Sequence, residues 1–314
     1  MSRLASKLDP TVLCLIALVI VIAGVGATFS DRFGTLANAA NLYEQAASIC
    51  FVALGQTVVI LTGGIDLSIG GIISLAASMT SGLINGDTSL VWPVVAAVLV
   101  LGALVGLLNG TLVHALRVHP LIVTLGMAAV MEGVVLLYTL KPIGSVPEAF
   151  QDFAFDRVGG IPIATSVAVV CFAVVAFILR YTRLGRQIYV FGGDQSGARL
   201  VGVPIARVTL FVYALSGLCA AATGVLLVSR LGVGDPLAGQ GYELRSITPV
   251  VIGGTLLSGG RGGVGGTLLG VLLVQTTDNV LNFMGVSSYY QWMTEGLLVI
   301  AAVSIYVDRR GQLT

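Results

Sequence analysis

Runs of about twenty apolar residues, separated by short polar or glycine-rich interruptions, recur from one end of the chain to the other. A helix that crosses a bilayer needs roughly 20 mainly apolar residues. Runs of that kind lie at about 11–29, 43–62, 66–84, 91–115, 120–140, 161–179, 208–229, 246–258, 264–282 and 290–307. The pattern predicts an all-α, polytopic integral membrane protein with about ten transmembrane or re-entrant helices, organised as one transmembrane domain over residues 1–314. The first run is too long for a removable signal and lacks a small-residue cleavage site. The eighth is short and contains Pro249, which points to a broken or re-entrant helix. Bare backbone at membrane depth is tolerated only where protein or a cavity surrounds it.

Composition narrows the function classes. Of 314 residues, 56 % are apolar and 10 % charged, where a soluble domain carries roughly 25 % charged residues. With a mean hydropathy of +0.99, a water-soluble enzyme and a disordered chain are both excluded. A net charge of +1 offers no basic field for nucleic acid. The 41 glycines sit inside apolar runs, a common habit of membrane helices.

Catalytic and metal chemistry find little support. Cys14, Cys50, Cys171 and Cys219 each lie alone in an apolar run, without zinc or disulfide spacing, and read as small buried hydrophobes. His114 and His119 flank Arg117 at the end of a span with no further ligand-type residue nearby. Lys7 and Lys141 are the two lysines, and no G-x-x-x-x-G-K-[ST] occurs. The chain therefore carries no phosphate-loop lysine for ATP hydrolysis, and its energy must come from another subunit or an ion gradient. No catalytic residue, metal site or cofactor is expected in the chain itself.

Orientation follows from lysine and arginine placement, because positively charged loops stay cytoplasmic. With the N-terminus inside, the inner segments hold eleven cations (Arg3, Lys7, Arg117, Arg180, Arg183, Arg186, Arg199, Arg207, Arg261, Arg309, Arg310). The outer segments hold five: Arg32, Lys141, Arg157, Arg230 and Arg245. Both termini are thus expected in the cytoplasm.

Two glycine-rich turns resemble one another. Leu61-Thr62-Gly63-Gly64 followed by Ile69-Gly70-Gly71 echoes Leu257-Ser258-Gly259-Gly260 followed by Val264-Gly265-Gly266, and internal duplication is common in transporters. The span count puts both turns on the cytoplasmic side, whereas an inverted repeat would separate them. Either the similarity is local or segment 246–258 does not cross.

Polar residues inside the spans are candidates for a translocation path. Asp66 and Ser68 stand between two apolar stretches, where an uncompensated charge costs roughly 2.5–3.5 kcal/mol. Either they cap the helix beginning near Ile69, or an unwound glycine segment lines a cavity. Asn109, Thr124, Glu132, Asn279 and Asn282, with Asp278 and Glu295, are path candidates or interhelical hydrogen-bonding groups. Gly102, Gly106 and Gly110 recur every four residues and bare one helix face for close packing.

The most distinctive polar segment is the loop 180–207, with five arginines. Ala198, Leu200, Val201 and Val203 predict a short helix with an apolar face and no core of its own, the kind that docks in a partner's groove. Gly192 and Gly202 are expected to supply turns with positive φ.

Four stretches carry a family likeness: VVILTGGIDLSIGG, then GLLNG with HPLIVTLG, then TRLGRQIYVFGGD…ARLVGV, then VVIGGTLLSGGRGGVGGT. In this order, over nearly the whole chain, they resemble permease subunits of bacterial ATP-binding-cassette importers of the ribose, xylose, arabinose and galactofuranose type. The resemblance implies an inner-membrane permease that pairs with a second permease as a homodimer or a paralogous heterodimer. It implies two further partners as well: a cytoplasmic ATPase on a separate polypeptide, which holds ATP and Mg, and a periplasmic sugar-binding protein. It also implies that the central loop couples to that ATPase through Gly192, Gly193, Asp194, Ala198, Arg199, Leu200, Gly202 and Val203. The cargo it implies is a monosaccharide, with a nucleoside, a polyol or a furanone-type signal molecule as the alternative within the same assembly class. An ion-coupled secondary transporter is the competing class, and a docking loop with an apolar face argues against it.

Overall fold

The computed structural model describes residues 10–311, and Arg3 and Lys7 lie outside them. The apolar runs become α1 (Pro10–Phe29), α2 (Leu36–Leu61), α3 (Ile69–Ile84), α4 (Val91–Leu116) and α5 (Pro120–Tyr138). A short α6 (Glu148–Phe155) and a two-residue hairpin, β1 (Arg157–Val158) with β2 (Ile161–Pro162), lead into α7 (Ile163–Tyr181). The central loop forms α8 (Arg183–Gly193) and α9 (Gln195–Leu200). The remainder is α10 (Ile205–Leu231), α11 (Tyr242–Ile252), α12 (Val264–Phe283) and α13 (Ser288–Gly311). Among the described residues, α1, α2, α4, α5, α7, α10 and α12 are long and apolar enough to cross a membrane. α13 covers the tenth expected run.

Two expected spans take another form. The run 246–258 does not cross as one helix: its helix has 11 residues, about 16 Å at 1.5 Å per residue, against a hydrocarbon core of about 30 Å, and the non-helical segment before it makes up the rest. α3 has 16 residues and starts late, because residues 64–67 are not helical. α2, in contrast, starts seven residues before the expected 43. Thr35 caps it by accepting from the Asn38 N–H at 3.3 Å, and its early polar residues are satisfied inside the protein. Asn38 exchanges 3.0 Å hydrogen bonds with Asn279, and Glu44 accepts from Arg157 at 3.1 Å.

The bundle is built around α2 and α10. α4 lies against α10 along Gly102, Gly106 and Gly110. A Cβ at Gly106 would strike the Tyr213 carbonyl and the Ala214 backbone, and one at Gly102 the Gly217 carbonyl. At Gly106 backbone meets backbone, and at Gly102 the Ala221 Cβ is the one side-chain atom as near as the Gly217 carbonyl. Of the cysteines, Cys50 and Cys219 are buried and Cys171 partly so. Cys14 departs from the expectation, standing exposed on α1, whose outward side is apolar.

The two broken spans run in opposite senses. From Leu61 the non-helical chain climbs along α10, so that Gly64 faces Tyr213 and Asp66 bonds Ser216; α3 then starts halfway along the bundle. From Leu231, at the other end, segment 232–241 descends along α3. Gly234 packs on Ser78, and the Gly239 N–H donates to Ser74 Oγ at 2.9 Å; α11 then starts halfway down. Gly70 and Gly239 meet there so closely that a Cβ on either would strike the other's carbonyl. The inverted relation thus belongs to the two broken spans. The two glycine-rich turns share one face and touch, the Gly260 N–H donating to the Leu61 carbonyl at 2.9 Å, so their likeness is local.

Candidate functional site

Asp66 anchors a fully buried polar knot. The Ser68 N–H and hydroxyl donate to its Oδ1 at 3.0 and 2.6 Å, and the Ser216 hydroxyl donates to Oδ2 at 2.7 Å. Asn109 Nδ2 donates to Ser68 Oγ at 2.8 Å, and the Thr124 hydroxyl lies 3.0 Å from the Ile65 carbonyl. Asp66, Ser68, Asn109 and Thr124 all have 0 % exposure. The knot therefore ties the non-helical segment to α4, α5 and α10 instead of presenting these groups to water. Ser68 is the N-cap of α3 but makes no side-chain cap bond; its hydroxyl is committed to Asp66.

Asp66→Ala should lower the melting temperature of the purified protein in detergent. It orphans buried hydroxyls, each costing roughly 1–3 kcal/mol. Asp66→Asn, which keeps an acceptor, should lower it less. An unchanged melt in Asp66→Ala would mean that the knot does not hold the segment.

The other polar candidates are dispersed. Asn279 pairs with Asn38 on α2, and Asn282 accepts from Gln291 at 2.8 Å near the end of α12. Glu132 stands apart, exposed on α5 within electrostatic reach of the partly buried Glu243. The carboxylate of Glu243 fills the space beside Gly70, where the two broken spans meet. Asp278 and Glu295 both bind Arg245, at 3.0 and 2.8 Å. Arg245 is thus an ion-paired residue in the first turn of α11, not an outer-loop cation. Ser216, Tyr213 and Glu243 were not foreseen. Ser216 looks like any small residue of an apolar helix, and its partner is 150 positions away.

The loop 180–207 is a helical hairpin laid on the two glycine turns. Thr182 caps α8 by accepting from the Gly185 N–H at 3.2 Å, and Asp194 caps α9 by accepting from the Ser196 N–H at 2.9 Å. The Tyr189 hydroxyl donates to the Gly262 carbonyl at 2.9 Å, and burial pushes this phenol above its ordinary range, so it stays a neutral donor. Gly202 has φ +74°. Gly192 is helical instead, and the need for glycine there is spatial: a Cβ would strike the Leu61 carbonyl and stand 2.7 Å from the Gly260 nitrogen. On α9, Ala198 is fully buried while Leu200 and the C-cap residue Val201 are 88 % and 72 % exposed. Gly193, Asp194 and Arg199 are also exposed, and Val203 is partly buried. Two branched apolar side chains thus project from a helix whose other side is locked down.

Comparison with known proteins follows the same lines. Residues 38–303 match the model of the branched-chain amino acid transport system / permease component family. The chain is 38 % identical to the ribose import permease protein RbsC of Escherichia coli (strain K12) over 303 residues, 95 % of this chain and 93 % of that one. It is 40 % identical to the ribose import permease protein RbsC of Bacillus subtilis (strain 168), over 97 % of this chain and 93 % of that one. To the D-allose transport system permease protein AlsC of Escherichia coli (strain K12) it is 34 % identical, over 92 % and 89 %. No solved structure matches.

Proposed function

The chain belongs to the permease family of ATP-binding-cassette sugar importers, and from that membership we propose that it is the translocating subunit of a binding-protein-dependent monosaccharide importer. Hydrolysis of ATP, with its Mg, falls to a separate cytoplasmic ATPase. A periplasmic binding protein delivers the sugar, and a second permease, identical or paralogous, completes the path. The observation that carries this reading is α9, with Leu200 and Val201 exposed on a helix anchored by Ala198. An apolar pair on a polar hairpin is what a partner's groove would take, and the ATPase supplies that groove. Closure of the ATPase then moves α8 and α9, and the helices alternate access.

Glu132 supports the position of the path. A carboxylate exposed on a membrane span has no stable place against lipid, and Gly126 and Gly133 of the same helix have open space beside them. This side of α5 faces the second permease across the path, while the Asp66 knot positions the broken span behind it. Relatives named for ribose and allose favour a pentose or hexose. The test is uptake of labelled sugars by proteoliposomes holding permease, ATPase and binding protein. Ribose is the first expected cargo, and failure of every monosaccharide would favour a nucleoside or polyol.

The reading also fixes orientation, with both termini and the hairpin 180–207 in the cytoplasm. A single cysteine at the exposed Gln195, in an otherwise cysteine-free chain, should resist a membrane-impermeant maleimide in intact cells and react after permeabilisation. Labelling from outside would invert the assignment.

A further inference from the structure

A cavity of about 390 Å³ opens beside α9, between the first glycine-rich turn, the α4–α5 turn and the first turns of α10. Its ionisable lining has one sign. Arg117 and Arg199 contribute guanidinium groups, His114 and His119 contribute imidazoles, and among the described residues no carboxylate lines it. Arg117 holds the left-handed conformation at φ +55°, unfavourable for a residue with a side chain. A neighbouring cavity of about 570 Å³ shares His114, Arg117 and Arg199 and adds Arg207, so the basic lining continues onto the surface.

The inner wall holds a second, independent feature. Tyr213 is 2 % exposed, and its hydroxyl has no hydrogen-bond partner. Buried polar groups are nearly always paired, so an orphaned phenol on a cavity wall marks the place of an absent acceptor. Gly64 packs directly against the phenol, since a Cβ on Gly64 would stand 2.6 Å from the Tyr213 hydroxyl. Guanidinium forks match phosphate oxygens in pairs, and a phenol donates readily to an anion.

We infer that this cavity binds a phosphate group, held by Arg117 and Arg199 at the mouth and by the Tyr213 hydroxyl at the inner wall. The group belongs either to a soluble phosphate or to a lipid headgroup. That the site lies on the ATPase-docking face rests on the function proposed above; the binding itself does not.

The test uses the full-length permease in nanodiscs. In discs of phosphatidylcholine alone, radiolabelled inorganic phosphate and glycerol 3-phosphate are titrated by equilibrium dialysis at constant ionic strength. Saturable binding to the native chain is expected. Arg117→Gln, Arg199→Gln and Tyr213→Phe should each weaken it about tenfold or more, as for hydrogen bonds to a charged group. Both arginines are exposed, so melting temperatures should stay native and separate lost binding from lost folding. In a second arm, discs of mixed phosphatidylglycerol and phosphatidylcholine are extracted and the retained lipid weighed by mass spectrometry. Phosphatidylglycerol retained by the native chain, and lost in Arg117→Gln, assigns the site to a headgroup. Binding of the soluble probes alone assigns it to a soluble phosphate. No binding above the chloride control together with unchanged lipid retention, or binding indifferent to all three variants, overturns the inference. Lost transport with intact phosphate binding would count against the transport reading only.

Discussion

Leu200→Asp should leave the protein in the membrane at native levels and reduce sugar uptake to background. The side chain is 88 % exposed and lies outside every span, so neither insertion nor packing depends on it. In the proposed complex it is buried in the ATPase, where a leucine contributes roughly 1.5–3 kcal/mol. Losing about 3 kcal/mol weakens association more than a hundredfold, and placing a carboxylate in an apolar groove adds a desolvation cost. Stimulation of ATP hydrolysis by the sugar-loaded binding protein should vanish with transport. Full stimulated hydrolysis and uptake in this variant would mean that α9 is a solvated connector. Gly192→Val should produce the same uncoupling by another route, prising α8 from the Leu61–Gly260 contact.

Gly106→Leu should prevent accumulation of folded protein. α4 and α10 are in backbone contact there, with the Tyr213 carbonyl where a Cβ would go, and small residues are what let membrane helices approach so closely. Overpacking a filled interface costs typically 1–3 kcal/mol for added methylenes, and more where the obstacle is backbone that cannot rotate away. Expression and a monodisperse chromatographic peak in detergent are the readouts. Normal assembly with altered sugar preference would move this face from the packing interior to the path.

The helical membrane architecture was legible because its signal is local: twenty apolar residues announce a span wherever they occur. The short helix around Ala198 was legible for the same reason, from apolar residues that a polar hairpin has no use for. The missing parts depend on pairings between distant positions. The start of α2 was hidden because Asn38 looks like a loop residue until Asn279 is placed beside it. Asp66 read as a cap or as a cavity residue. What decided its place was Ser216, a residue without a signal of its own. Arg245 was assigned to an outer loop by counting, yet segment 232–241 folds inward and delivers it to Asp278 and Glu295. No periodicity encodes a segment that enters the bundle without helical structure and becomes a helix only halfway through.

The contact of Gly192 with Leu61 and Gly260 has a mechanical consequence. α8 is a rod of 11 residues, about 16 Å long, and its end bears on the inner terminus of each broken span. Tightly packed backbone has little give, so a thrust delivered to α9 enters both spans at one joint. Beyond that joint both loads meet non-helical chain: residues 62–68 before α3 on one arm, and residues 253–259 after α11 on the other. The first stretch is pinned to α10 through Asp66 and Ser216, so a push at the base would reach α10 as well as α3.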